Sequence, residues 1–164
     1  MIAAEGEVRI DFSGALSCTK LDENHPLTHA MSCVDFVVDF VDRIILVEVK
    51  DPDCSRAQPK EIRKFVRKVE DGKLAVELAR NGRDSFFYQA CTCGLDKRIY
   101  YYVLLGMEEL SPADLQAQTD KLKSFLPLNQ ADGKACRERL IEDCAVLNLR
   151  LWNAIFPFKA QRIV

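Results

Sequence analysis

The sequence lacks several features, and each absence narrows the field. No stretch of its 164 residues approaches the roughly 20 uninterrupted apolar residues of a membrane helix. The opening MIAAEGEVRI lacks the basic-then-apolar order of a secretory leader, so a cytoplasmic protein without a membrane partner is expected. Histidine is scarce: the two residues, His25 and His29, sit around a DENHP loop that reads as solvated rather than metal-binding. The seven cysteines (Cys18, Cys33, Cys54, Cys91, Cys93, Cys136 and Cys144) are odd in number and contain no CxxC pair. That argues against a disulfide framework and a four-ligand zinc site, leaving reduced thiols. Glycine and proline are scattered singly, with no repeat or low-complexity tract to act as a linker. A single domain spanning 1–164 is the expectation, with 48% hydrophobic residues to supply one sizeable core.

Net charge is also small, at −2, but the sum hides a segregation. Residues 1–55 carry 4 basic and 11 acidic side chains, whereas 56–83 carry 9 basic and 4 acidic. The remainder balances 10 against 10. A local basic surface is therefore compatible with an acidic chain.

The chain opens on EVRIDF and ALSCTKLD, short strand-like runs separated by Ser13-Gly14. CVDFVVDF and IILVEVK then form the strongest strand signal and, joined by Val41-Asp42-Arg43, read as a hairpin. After a turn-rich break, Ile62, Phe65, Val66, Val69 and Val76 recur at helical spacing. Asp71-Gly72 interrupts that helix, and a second runs from Leu74 towards Tyr88, broken or bent at Asn81-Gly82. RIYYYVLLG is a buried strand; Ser111-Pro112 opens a helix presenting Leu115, Leu122 and Phe125 on one side. A short helix is predicted over 134–143, then AVLNL as a strand and a closing segment anchored by Trp152 and Phe156. This order indicates α/β or α+β layering: a mixed central sheet containing the 33–50 hairpin, flanked by helices.

The hairpin carries the chemistry. Alternation puts Val34, Phe36, Val38 and Phe40 on one face and Asp35, Val37 and Asp39 on the other. Burying the first set beside Ile45, Val47 and Val49 requires even numbers on the first strand to face odd numbers on the second. That register places Asp35 with Glu48 and Lys50, and a two-residue loop at Val41-Asp42 sets Asp35 opposite Glu48. A loop at Asp42-Arg43 would set it opposite Lys50 instead. Two carboxylates and an ammonium there are costly to desolvate unless paired or metal-bound. The plainer reading is a solvated cross-strand ion cluster on a half-exposed hairpin.

An Asp on one strand, a tight connection, then hydrophobic-Glu-x-Lys ending the next resembles the PD-(D/E)XK phosphodiesterase superfamily, of restriction-endonuclease-like fold. VDFVVDFVDRIILVEVKDP carries the resemblance closely over about 30–55, with Val34 where the pattern has Pro. No acidic residue stands on an obvious N-terminal helix; Glu5, Glu7 and Glu23 are the weak candidates. The resemblance implies Asp35, Glu48 and Lys50 as catalytic residues. It also implies Asp35, Glu48 and the Val49 carbonyl as ligands of Mg²⁺, or Mn²⁺. The implied activity is metal-dependent hydrolysis of nucleic acid, DNA before RNA, with Lys50 orienting water or stabilising transition-state charge. The alternative is an inactive nuclease-fold module that binds nucleic acid or a protein; a homodimer is compatible with either.

Lys60, Lys64, Arg67 and Lys68 recur at three- and four-residue spacing after the hairpin, where they could track a phosphate backbone or simply form a solvated helix face. Tyr88 and Gln89 resemble a Gln and Tyr that some branches of the superfamily place beside the site, although an aromatic at helical spacing is more often core. Cys91-x-Cys93-Gly94 reads as a helix end, and Tyr100, Tyr101 and Tyr102 as an interior strand rather than a base-stacking platform.

Overall fold

The computed structural model describes residues 1–24, 31–128 and 140–163, with the side chains of Glu23 and Asn24 excepted. His25, His29 and Cys136 lie outside the described residues, as does the 134–139 part of the predicted short helix. Two sheets and a helical layer are stacked. The larger sheet contains β3 (Ser17–Lys20), β4 (Phe36–Asp39), β5 (Arg43–Lys50), β6 (Arg98–Leu105) and β7 (Ile141–Asn148), in that spatial order. The β3–β4 and β4–β5 pairs are antiparallel, and β5–β6 and β6–β7 are parallel. The smaller sheet joins β1 (Ile2–Glu5), β2 (Val8–Asp11) and β8 (Lys159–Arg162). The molecule is thus mixed α/β with a mixed five-stranded sheet, as the order of apolar runs predicts.

The helices are α1 (Leu21–Asn24, one turn), α2 (Pro59–Glu70), α3 (Lys73–Thr92), α4 (Pro112–Phe125) and α5 (Leu149–Ile155). The α2–α3 helices carry the chain from β5 to β6, and α4 lies between β6 and β7 in sequence, as parallel neighbours require a crossover. Starts and stops follow local chemistry. Ser111 Oγ accepts from the Asp114 N–H at 3.2 Å with Pro112 in the first turn. Gly72, at φ +72°, separates α2 from α3, and Gly94, at φ +76°, follows α3.

The hairpin forms in the predicted register: Phe36 pairs with Val47 and Val38 with Ile45. The Phe40 N–H donates to the Arg43 carbonyl at 2.8 Å, closing a two-residue loop at Val41-Asp42. Phe36, Val38, Phe40, Ile45, Val47 and Val49 pack with Val8, Ile10 and Phe12 of the smaller sheet side and with Trp152 and Phe158. Trp152 is fully buried, its indole N–H donating to the Phe158 carbonyl at 3.2 Å, which makes it the anchor expected of the closing segment.

The opposite face is not half-exposed. Ile44 and Leu46 pack there with Leu74, Leu78 and Leu122 of the helices, so β5 is covered on both sides and reads IILV without alternation. Four further local expectations need correction. The α3 helix runs unbroken through Asn81-Gly82, because Gly82 is where the helix touches the sheet: a Cβ there would lie 2.7 Å from the Tyr101 ring. Val76 and Phe125 are exposed rather than part of an apolar face, since among the described residues nothing covers that side of either helix. Residues 141–143, predicted as a helix end, begin β7, where β6 supplies a hydrogen-bonding edge. Finally, β1 was not foreseen; it pairs with β2 across Gly6, at φ +55°.

Candidate metal centre

Asp35 occupies the bend just before β4. Its carbonyl accepts from the Leu21 N–H at 2.8 Å, extending the β3–β4 ladder by one step and bringing the first turn of α1 alongside. One Asp35 carboxylate oxygen, Oδ2, accepts from the Val49 N–H at 2.6 Å. Because the N–H and C=O of a strand residue point to the same edge, the Val49 carbonyl faces this edge too. The side chain is 8% exposed.

Glu48, on the helix-covered face of β5, is 1% exposed. Its Oε1 accepts from Lys50 Nζ at 2.5 Å and from Asn81 Nδ2 of α3 at 2.9 Å. Its Oε2 is buried and, among the described residues, has no hydrogen-bond partner. Such an orphaned carboxylate oxygen is rare in native interiors and marks strain or a missing ligand. The predicted trio therefore converges, and convergence occurs in the interior rather than on a solvated hairpin.

Two more acids complete the cluster. One carboxylate oxygen from each of Glu5, Asp22 and Asp35 lies within 4.8 Å of the others, with Asp22 exposed, Glu5 half-buried and Asp35 buried. Glu5 also pairs with Lys20 at 3.0 Å. Among the three weak N-terminal candidates, Glu5 is drawn in. Glu7 instead accepts from the Ser55 N–H at 2.8 Å and pairs with Arg162 at 3.5 Å, and the Glu23 side chain lies outside the described residues. Sequence reasoning missed Asp22. The signal was its position: it follows directly on β3, whose pairing with β4 carries it to Asp35.

Electrostatics follow from crowding acids out of water. Burial and the Glu48 charge push the Asp35 pKa up to about 7, against the opposing pull of the Val49 N–H and Lys50. Burial raises Glu48 as well, although Lys50 and Asn81 favour its ionised form. Burial pulls the Lys50 ammonium down, but Glu48, Asp35 and Glu77 outweigh it and leave its pKa raised. The ordered donor set is all carboxylate and carbonyl oxygen, which fits a hard divalent ion. Negative charge in excess of Lys50 and an unpartnered Glu48 Oε2 supply two reasons for one to bind.

The other candidates are dispersed. On α2, Lys60, Lys64 and Arg67 are exposed, while Lys68 pairs with Glu77 at 2.7 Å. Tyr88 and Gln89 do not join the carboxylates; they line a separate cleft with Asp39, near the far end of β4. Asp39 itself is held by Lys97 at 2.6 Å rather than solvated. Cys91 and Cys93 are free and exposed at the end of α3, and the other cysteines among the described residues are also unbridged. Tyr101 is buried, its hydroxyl donating to the Leu78 carbonyl at 2.9 Å, so it presents no base-stacking surface. Among the described residues, no helix is long and apolar enough to cross a membrane. In comparisons with known proteins, the chain matches no family model, no curated protein and no solved structure.

Proposed function

We propose that this chain is a divalent-cation-dependent phosphodiesterase acting on nucleic acid, DNA before RNA, on a restriction-endonuclease-like PD-(D/E)XK framework. The observation that carries this reading is the Glu48 carboxylate, buried beside Asp35 with Oε2 unpartnered. Asp35 and Glu48 would hold Mg²⁺ or Mn²⁺ with help from the Val49 carbonyl, and Asp22 lies on the exposed side of the cluster. A bound cation supplies Lewis acidity at the phosphoryl oxygen and lowers the pKa of a bound water. Asn81 fixes the Glu48 side chain, and Lys50 offers a positive charge for the transition state.

The supply of phosphate-binding charge is consistent with this. Lys60, Lys64 and Arg67 form no ion pair among the described residues, nor do the exposed Arg80 and Arg83 of α3. Lys68 links this surface to the cluster through Glu77, whose charge acts on Lys50. The alternative, a module that binds without cutting, draws on Glu48 Oε1, which already receives both Lys50 and Asn81 as in a purely structural pair.

Cleavage of labelled single- and double-stranded DNA and RNA with Mg²⁺ or Mn²⁺ tests the reading. Glu48→Gln and Lys50→Met should fold yet cut at least about 100-fold more slowly. Undiminished cutting by either variant, or wild-type protein that binds without cutting, overturns it; the latter result establishes the module.

A further inference from the structure

The cleft lined by Tyr88 and Gln89 has a chemistry of its own. It measures about 360 Å³, within the range of small-molecule sites. Thr19 of β3, Val37 and Asp39 of β4, and Tyr88 and Gln89 of α3 form its walls, with Lys97 at one end. Gln89 is 6% exposed, yet among the described residues its side-chain amide has no hydrogen-bond partner. The amide is not among the atoms sealed from solvent, and the residue borders the cleft, so this donor and acceptor open onto it.

The charges select what enters. Lys97 Nζ is committed to Asp39 at 2.6 Å and to the Phe40 carbonyl at 2.7 Å, and Asp96 adds a second carboxylate to the lining. Among the described residues the cleft therefore offers no unpaired cation, and its carboxylates disfavour a phosphate. A planar, uncharged group with a donor beside an acceptor fits better: it matches the Gln89 amide edge to edge, as glutamine pairs with adenine N6 and N7. Tyr88 supplies an aromatic face at the wall. Val37 and Asp39 follow Asp35 on one face of β4, so the cleft, though separate from the carboxylate cluster, lies within about four strand residues, or roughly 13 Å, of it.

We infer that this cleft is a nucleobase pocket that holds a base of the strand whose phosphodiester reaches the Asp35–Glu48 cluster. The inference rests on the nucleic-acid reading of that cluster for its biological sense, but not for its test. Phosphate-free adenosine is titrated into the ¹⁵N-labelled full chain in EDTA while the Gln89 side-chain NH₂ resonances are followed, with base-free ribose as the comparison. Adenosine should shift those resonances, and ribose should leave them in place. Gln89→Met should weaken adenosine binding about tenfold at an unchanged melting temperature. Gln89→Glu, which keeps the shape but removes the donor, serves if the methionine variant does not fold. Asp35→Asn and Glu48→Gln should bind adenosine as the wild type does.

Absence of any Gln89 shift at millimolar adenosine, or equal binding by the Gln89 variants, overturns the pocket. Adenosine binding by a protein that cuts no nucleic acid upholds the pocket and removes the nuclease reading. Cutting without adenosine binding does the reverse.

Discussion

Asp35 should make the apo protein lose stability as pH rises, and a divalent cation should reverse that loss. The pKa of Asp35 goes from an ordinary 3.8 to about 7 on folding. A carboxyl raised on folding contributes its full stability below 3.8; that contribution declines as pH rises and is gone above about 7. The whole gap corresponds to roughly 4 kcal/mol, a ceiling because water entry and local relaxation reduce it. Between about pH 5 and about pH 8 the linkage integral is roughly 2.5 kcal/mol. Glu48, also raised by burial, acts in the same direction, whereas Lys50, raised above 10.5, changes nothing in this window.

The assay is urea denaturation in EDTA across that range, on wild type and Asp35→Asn. The asparagine keeps an oxygen to accept the Val49 N–H but cannot ionise. Wild type should lose stability with rising pH, and the variant should show a markedly flatter slope. Mg²⁺ should restore wild-type stability near pH 8, while its apparent affinity falls about 100-fold near pH 5, where a proton competes for the carboxylate. Superimposable pH profiles for the two proteins, together with a Mg²⁺ effect independent of pH, would refute the reasoning.

Two packing predictions follow from α3. Asn81→Leu should raise helix propensity yet destabilise the protein by about 2 kcal/mol, because a buried carboxylate loses its amide donor; equal or greater stability in urea would contradict the assigned contact. Gly82→Ala should cost about 1–3 kcal/mol despite a favourable propensity, since its Cβ would meet Tyr101 at 2.7 Å. Gly94→Ala, with nothing within 4 Å but φ at +76°, should cost about 1 kcal/mol from backbone alone. Thermal denaturation of the pair separates the two causes, and a stabilised Gly82→Ala would sink the first.

Some of this was readable residue by residue. Alternation on 36–40, with Glu48 and Lys50 on one face of 44–50, specified the hairpin register, because a one-residue slip would have set those two charges against Phe36, Val38 and Phe40. The trio Asp35, Glu48 and Lys50 followed from that register. So did the helix at Ser111-Pro112, whose cap is a local hydrogen bond. Asn81-Gly82 shows where local reading stops. The pair has the composition of a break, yet the break does not occur: Gly82 is small to admit Tyr101, and Asn81 is polar to reach Glu48, residues distant in sequence.

Sequence alone therefore determined the elements whose forces act between near neighbours: strand alternation, turn length and helix caps. It also determined that the three hairpin residues share a face. Tertiary structure decided what that face meets. Covering β5 with α3 turned a surface ion cluster into a buried one, left Glu48 Oε2 without a partner, and raised the Asp35 pKa to about 7. It also gathered Glu5 and Asp22 from separate elements around Asp35. Desolvation and charge crowding depend on everything within a few ångströms, whatever its distance along the chain, and no periodicity in the sequence encodes them.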